Sequence, residues 1–282
     1  MDPLIVVLGI AAAVSLFCWI ASLVTTDTSW VDRLWSVVPA VYVWVFAIAA
    51  LVDGEDAARL VLVAILVTLW AARLTFNFAR KGGYSGMEDY RWAILRSKMT
   101  PVQFQLFNIF FIVLYQNALL VLITLPALIA WQNPVALTGF DIAFGLLFLG
   151  ALVGEFVADQ QQWNFHTAKE AAGGRLAPGF ATTGLWRYSR HPNFFFEQTQ
   201  WWVVYAFGAT AAVAAGAGLW GGILNWTIIG AALLTVLFIG STVFTESISA
   251  AKYPAYAEYQ RTTSMLIPFP PRSPQPSTEP TA

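Results

Sequence analysis

The segment Arg187–Glu197 carries the densest set of side chains in this sequence that could do chemistry. It reads RYSRHPNFFFE. An arginine such as Arg190 can bind a phosphate or a carboxylate through two parallel hydrogen bonds, and His191 can exchange a proton near neutral pH. The proline that follows suits the first turn of a helix, so Asn193 and Glu197 would lie one turn apart on one helix face. The segment therefore predicts a ligand site at the mouth of a helix, in preference to a basic anchor among lipid headgroups.

Other kinds of site are not written in the sequence. A GxGxxG fingerprint after a strand and a GxxxxGK[ST] loop are both missing, which argues against a Rossmann or P-loop site. The sequence also lacks the GxSxG motif of serine hydrolases. Its two histidines, His166 and His191, and its single cysteine are too few and too far apart for a zinc or iron site, so we expect no metal. The net charge of -1 argues against a nucleic-acid partner.

The composition predicts an integral membrane protein. Of the 282 residues, 58% are hydrophobic and 11% are charged, whereas soluble domains average about 25% charged residues. A helix that spans a bilayer needs about 20 mostly apolar residues. Such runs predict an all-α fold, an integral membrane bundle of seven transmembrane helices near residues 4–24, 34–52, 58–79, 103–129, 140–160, 199–216 and 220–246.

Basic residues mark one side of the predicted membrane. All fifteen lysines and arginines except Arg59 and Arg73 fall on one side of the predicted spans, chiefly in 80–101, in 161–198 and after residue 247. Positively charged loops stay in the cytoplasm. This rule predicts an N-terminus outside and a C-terminus in the cytoplasm, which requires an odd number of spans.

Several ionisable residues lie inside the predicted helices, where a charge is costly and asks for a partner or a role. Glu155 and Asp159 are one turn apart on the fifth helix, and Glu246 lies near the end of the seventh. For Glu246, structural hydrogen bonding is the favoured interpretation. For the Glu155/Asp159 pair, we favour a buried cofactor pocket near the cytoplasmic helix ends.

The same segment supports a resemblance to a known family. The sequence RHPNFFFE at Arg190–Glu197, followed by two tryptophans, resembles the C-terminal signature of the steroid 5-alpha-reductase family, and its bacterial branch looks closest. The chain end, with tyrosines and an arginine across 253–261 and then Ile-Pro-Phe at 267–269, is similar to the family's closing pattern. The signature region covers about 140–271 of a single membrane domain, 1–271, and 272–282 is expected to be a disordered tail.

This resemblance implies a membrane reductase that binds NADPH from the cytoplasm and transfers hydride to an activated carbon–carbon double bond of a steroid-like or other lipid. Carried over by position, Asp159, Arg190 and Asn193 would hold the nicotinamide, ribose and phosphate portion of NADPH. The further candidates for cofactor contacts are His166, Arg187, His191, Glu197, Tyr256, Tyr259 and Arg261.

The resemblance also implies a catalytic acid and a partner tyrosine in the N-terminal half. The family's glutamate falls on Asp32, and its tyrosine aligns near Trp70, so Tyr90 or Tyr115 could replace it. Hydride reduction of an enone needs a proton donor at the carbonyl oxygen, where negative charge develops. We expect the lipid to enter from the bilayer, and the protein to lie in a bacterial inner membrane with its active site open to the cytoplasm.

A methyltransferase is the main alternative. Membrane methyltransferases that use S-adenosylmethionine, of the isoprenylcysteine and phospholipid types, carry similar RHP motifs but have fewer spans. The seven predicted spans and the spacing of Asn193 and Glu197 favour the reductase. A transporter should show repeat symmetry and broken helices at corresponding positions, and the sequence shows neither.

Overall fold

The protein is described by a computed structural model for residues 1–273, and within these residues the backbone forms helices and no β-strand. The all-α prediction is confirmed. In chain order the helices are α1 Pro3–Thr25, α2 Trp30–Leu34, α3 Val37–Asp53, α4 Ala58–Arg80, α5 Tyr90–Ser97, α6 Pro101–Gln132, α7 Gly139–Ala171, α8 Pro192–Ile223, α9 Ile228–Lys252 and α10 Tyr256–Thr262. The tail predicted at 272–282 lies, from residue 274 onward, outside the described residues.

Six of the described helices, α1, α4, α6, α7, α8 and α9, are long and apolar enough to cross a membrane. They fit an integral membrane protein. The remaining apolar helix, α3, has 17 residues. At 1.5 Å per residue it would rise about 25 Å, against a hydrocarbon core about 30 Å thick. The count of seven spans and the orientation of the termini stay predictions.

Helix starts follow local sequence signals. Pro3 and Pro101 occupy the first turns of α1 and α6, where the missing backbone N–H is not needed. Thr100 and Gln103 add a reciprocal capping box to α6. Pro192 begins α8, seven residues before the sequence placed that helix.

The last hairpin differs from the sequence prediction, which put its turn at 216–218. Gly216 and Gly218 do take positive φ values of 98° and 71°, and they kink α8. The helix nevertheless continues to Ile223, and the chain turns at 224–227 before α9 begins. The hydroxyl of Tyr205 donates to the Ile223 carbonyl and satisfies a backbone acceptor at this helix end. The predicted turn position is therefore wrong.

The chain divides into two compact units. The first unit comprises Met1–Leu149 and Trp201–Leu234, and the second comprises Gly150–Gln200 and the chain from Thr235 onward. Each is described by itself below. The predicted single domain, 1–271, thus contains both units.

An antiparallel hairpin of α3 and α4 forms much of the first unit's core. The hydroxyls of Ser36 and Thr75 lie 2.7 Å apart, and the Trp44 indole donates to the Thr68 hydroxyl at 2.9 Å. The residue numbers add up to 111 in the first pair and to 112 in the second. A nearly constant sum means that one antiparallel register relates the two helices. The same register sets 42 level with 70 in the buried interior of the hairpin.

In the second unit, the loop 172–191 is fastened to α7 and to the chain end. The Trp186 indole donates to the Ala158 carbonyl at 3.0 Å, and the Leu185 amide donates to the Gln161 side chain at 2.8 Å. The Arg190 amide donates to the Ser264 carbonyl at 2.8 Å. These bonds hold the segment that carries the arginine and histidine cluster.

Candidate functional site

An ion pair between Arg190 and Glu246 organises the second unit. The Arg190 Nε lies 2.6 Å from Glu246 Oε1, and Nη2 lies 3.0 Å from Oε2, which makes the pair bidentate. The Arg190 Nη1 donates to the carbonyls of Gln260, at 3.0 Å, and Thr263. Four of the five guanidinium N–H groups therefore serve protein acceptors. A cofactor contact of Arg190 stays a prediction, because in this structure the guanidinium binds a carboxylate of its own chain.

Glu246 receives two further side chains. His191 Nε2 lies 3.0 Å from Glu246 Oε1, and Gln260 donates to Oε2 at 2.9 Å. The side chains of Glu246 and Arg190 are both less than a tenth exposed. We call Arg190, His191, Glu246 and Gln260 the ion-pair network. The sequence favoured a structural interpretation of Glu246, which agrees with this arrangement, but it gave no sign of Gln260.

Tyr256 and Tyr259 lie beside this network and are buried. The Tyr259 hydroxyl donates to the Trp186 carbonyl, and the Tyr256 ring meets Phe180 edge-on at 4.9 Å. Burial raises the pKa of both phenols well above the ordinary value, and for Tyr256 the nearby Glu246 adds to the rise. Both hydroxyls are therefore neutral donors at physiological pH.

Asp159 and Asn193 form a second polar contact in the second unit. The Asp159 carboxylate is 1% exposed, and the Asn193 amide approaches its Oδ1 at 3.4 Å. The Oδ1 atom of Asn193 is itself buried, and within residues 1–273 it has no hydrogen-bond partner. Glu197, one turn further along α8, is also buried. The arrangement presents carboxylate and amide oxygens that can accept hydrogen bonds from hydroxyl or amide groups of a ligand.

The remaining predicted cofactor residues lie on the surface. Arg187 is exposed at the end of a 3₁₀ turn, Gly184–Arg187, and His166 is exposed on α7. Arg261 is exposed and pairs with Glu258 in the same helix. Of these three residues, Arg187 is the one that lies on loop 172–191.

The predicted catalytic residues Asp32, Tyr90 and Tyr115 all belong to the first unit. The Asp32 carboxylate accepts a hydrogen bond from the Trp92 indole at 2.9 Å. Tyr90 is 54% exposed, and Tyr115 is half-buried and stacks on Phe111 at 5.3 Å. Across the part of the chain that the structure describes, neither tyrosine hydroxyl is hydrogen-bonded to Asp32.

Burial raises the pKa of Asp32, and the neighbouring charge of Asp89 raises it further. The opposing contributions of Arg91 and the Trp92 indole do not reverse this direction. A carboxyl with a raised pKa can act as a proton donor. Asp32 therefore has the property that the family resemblance requires of an acid.

Three buried donors in the first unit were not among the predicted site residues. Tyr42, Trp70 and Trp201 are at most 2% exposed, and the Tyr42 hydroxyl and both indole N–H groups have no acceptor among the described residues. The rings of Trp70 and Trp201 meet edge-on at 4.9 Å, and the hairpin register sets Tyr42 level with Trp70. We call these three residues the donor cluster.

Each of these donors can bind an acceptor oxygen and stabilise negative charge on it, because N–H and O–H dipoles in a dry interior interact strongly with developing charge. Sequence reasoning reached Trp70 only as the position near the family's tyrosine. Tyr42 is a polar group within an otherwise apolar run, and that signal could have singled it out.

Comparisons with known proteins place the chain in a family. Residues 18–263 match a family described as proteins of unknown function, DUF1295, which is associated with steroid 5-alpha-reductase-like proteins. The chain is 38% identical to an uncharacterised protein of Schizosaccharomyces pombe over 95% of its own length and 80% of the relative's. No solved structure matches the chain. The chain belongs to the DUF1295 family.

Proposed function

We propose that the protein is a membrane-embedded, NADPH-dependent reductase that transfers hydride to an activated carbon–carbon double bond of a steroid-like or other lipid. The observation that carries this proposal is the contact between the buried Asp159 and the partly buried Asn193, whose buried amide oxygen has no protein partner in the described chain. An unsatisfied buried acceptor costs about 1–3 kcal/mol. A ligand that donates a hydrogen bond to it would remove this cost.

The second unit would hold the cofactor. Asp159 and Asn193 accept hydrogen bonds from ribose hydroxyls or from the carboxamide of the nicotinamide, and the exposed Arg187 binds a phosphate. The ion-pair network positions this site, because Arg190 immediately precedes α8 and Asn193 lies in the first turn of that helix. NADPH supplies the hydride when it is bound.

The donor cluster would bind the substrate's carbonyl oxygen. Hydride addition to an enone moves negative charge onto that oxygen, and the hydroxyl of Tyr42 with the indoles of Trp70 and Trp201 stabilises it. The Tyr42 hydroxyl is then a proton source in addition to Asp32, which the sequence predicted. Tyr90, which is exposed, and Tyr115, which is half-buried, stay predictions as partners of Asp32.

The proposal includes the topology. With α3 counted as a span, the chain crosses seven times, the N-terminus lies outside and the basic segments face the cytoplasm. A site bearing Arg187 then opens to the cytoplasm, where NADPH is available. A bacterial inner membrane stays a prediction.

Cofactor titration tests the proposal. The purified full-length protein in detergent is titrated with NADPH, NADH and S-adenosylmethionine while its thermal stability is followed. A ligand at 100 times its dissociation constant should add about 2.7 kcal/mol of stability. Stabilisation by NADPH supports the reductase. Stabilisation by S-adenosylmethionine alone would reject it in favour of the methyltransferase.

Two substitutions locate the cofactor. Arg187→Gln removes a charge-assisted contact worth about 1.5–3 kcal/mol and should weaken NADPH binding by about 10- to 100-fold. Asn193→Leu should weaken it similarly without loss of the fold. Lys98→Gln, which removes an exposed charge in the first unit, is the matched control and should bind as the wild type does. Equal affinities in all three variants would contradict the site assignment.

A further inference from the structure

A cleft lies in the first unit, between the end of membrane helix α1 and the beginning of membrane helix α6. Its volume is about 320 Å³, which is near the lower end of the about 300–1,000 Å³ typical of small-molecule sites. One part of its wall is apolar, with Leu23, Met99 and Phe104. The other part is polar and includes the side chains of Ser22, Thr26, Thr28, Arg96 and Gln105. The cleft therefore suits an amphiphile with a small polar head.

The charge in this cleft is already neutralised by the protein. Both terminal nitrogens of Arg96 contact the Glu88 carboxylate, at 2.6 and 3.0 Å, and the Arg96 guanidinium lies 4.8 Å from the Phe104 ring centre. The Thr28 amide and hydroxyl also donate to Glu88. Burial alone would raise the pKa of Glu88, but the hydrogen bonds from Arg96 and Thr28 outweigh it and lower this pKa. The Glu88 carboxylate therefore stays ionised. A neutral head therefore fits better than a phosphate or a second carboxylate.

Asn108 lies behind the polar wall. Its side-chain amide donates to the Ser22 hydroxyl at 2.9 Å and contacts the Gln105 side-chain oxygen at 3.5 Å. Asn108 is 1% exposed, and its Oδ1 has no hydrogen-bond partner within residues 1–273. It also begins the π-helical segment Asn108–Tyr115, a distortion that often accompanies function. The buried group next to the cleft is thus an acceptor that lacks a donor.

We propose that this cleft binds the head of a neutral, hydroxyl-bearing amphiphile, whose hydroxyl donates to Asn108 Oδ1 while its chain runs along Leu23 and Phe104. A hydroxyl supplies the donor that the amide oxygen lacks, and it brings no charge to compete with the Arg96–Glu88 pair. The ligand reaches the cleft from the membrane, because the cleft opens at the ends of two membrane helices. This site is independent of the proposed reductase activity.

Photo-crosslinking with a diazirine analogue of oleyl alcohol tests the proposal on the full-length protein in detergent. The label should map to residues 22–28 and 96–108. Unlabelled oleyl alcohol should compete at a concentration at least fivefold lower than oleyl methyl ether, which carries a methyl group in place of the donor hydrogen. Equal competition by the ether, or stronger competition by oleyl phosphate, would overturn the assignment.

Two variants and a control complete the test. Asn108→Leu removes the acceptor and should abolish the difference between alcohol and ether, and Leu23→Trp fills the cleft from a partly exposed position and should reduce labelling at least fivefold. Asn117→Leu, on the same helix but away from the cleft lining, should retain both effects. If Leu23→Trp binds the alcohol as the wild type does, the proposal is wrong, whether or not Asn108→Leu folds.

Discussion

The ion-pair network of the second unit and the donor cluster of the first unit both place polar side chains in the protein interior, yet they differ in how many of their hydrogen-bonding groups have partners. In the network, Glu246 accepts four hydrogen bonds and Arg190 donates four. In the donor cluster, the Tyr42 hydroxyl and the two indole N–H groups have no acceptor in the described chain. A closed network, in which the polar groups bind one another, stabilises the fold. Open donors, which have no acceptor in the protein, are available to a ligand.

The energetics of the two regions differ accordingly. Breaking a buried ion pair by removing one partner costs about 3–5 kcal/mol, because the other charge is left uncompensated. Removing a donor that has no partner takes away a desolvated group, which is neutral or stabilising. The change in the free energy of unfolding on substitution therefore distinguishes a polar group that stabilises the fold from one that serves function.

The largest effect is expected for Glu246→Ala. The variant leaves the Arg190 guanidinium buried without its carboxylate, and we expect a loss of about 3–5 kcal/mol in the free energy of unfolding. Denaturation in mixed micelles measures it. The control is Glu258→Ala, which removes an exposed pair and should cost less than about 1 kcal/mol. Comparable losses of stability in Glu246→Ala and Glu258→Ala would show that the buried network stabilises the fold no more than an exposed ion pair does.

Tyr42→Phe should show the opposite pattern. Stability should stay constant or rise by up to about 1 kcal/mol, because the hydroxyl has no partner to lose. Reduction of an enone lipid should slow by about 100-fold, the effect of losing one donor to a developing oxyanion. In Tyr205→Phe the lost hydroxyl donates to the Ile223 carbonyl, so stability should fall by about 1 kcal/mol while turnover persists. The comparison fails if Tyr42→Phe destabilises as much as Tyr205→Phe.

The sequence predicted the features that depend on residues close together in the chain. It missed the contacts between residues that only folding brings together. Apolar runs predicted the helices, and Pro192 marked the start of α8 once its place in a first turn was considered. The pairing of Arg190 with Glu246 joins residues 56 positions apart, and nothing local indicates which acid meets which base. The residue type of Arg190 indicates bidentate binding of a carboxylate or phosphate, and the structure shows such binding. The sequence does not indicate that the carboxylate is that of Glu246.

The same limit explains the catalytic residues. Tyr90 and Tyr115 are tyrosines near the expected part of the chain, and their role stays a prediction, because the sequence does not show how packing surrounds a side chain. Tyr42 stands out in the sequence as a polar group in an apolar run, but only the structure shows that its hydroxyl has no acceptor among the described residues. A sequence can show that a polar group is present in an apolar helix, but the structure is needed to show whether another side chain satisfies it.

Asp32 lies between the two extremes, because its partly buried carboxyl accepts a hydrogen bond from a neutral donor, the Trp92 indole. Its pKa is raised, chiefly by burial, so the folded protein binds this proton more tightly than the unfolded chain does. The stability that it contributes is complete below the ordinary pKa of 3.8 and is lost as the pH rises from there through the raised value.

Asp32→Asn keeps an oxygen for the Trp92 indole and removes the titration. The variant should therefore melt at a higher temperature than the wild type at pH 8, and the difference should shrink towards pH 4. Thermal unfolding at both pH values measures it. Glu55→Gln, in the exposed loop between α3 and α4, should leave the melting temperature nearly unchanged at each pH. A difference for Asp32→Asn that stays constant with pH, or grows on acidification, would show that Asp32 is held as an ion, and would place it with the closed network and not with the open donors.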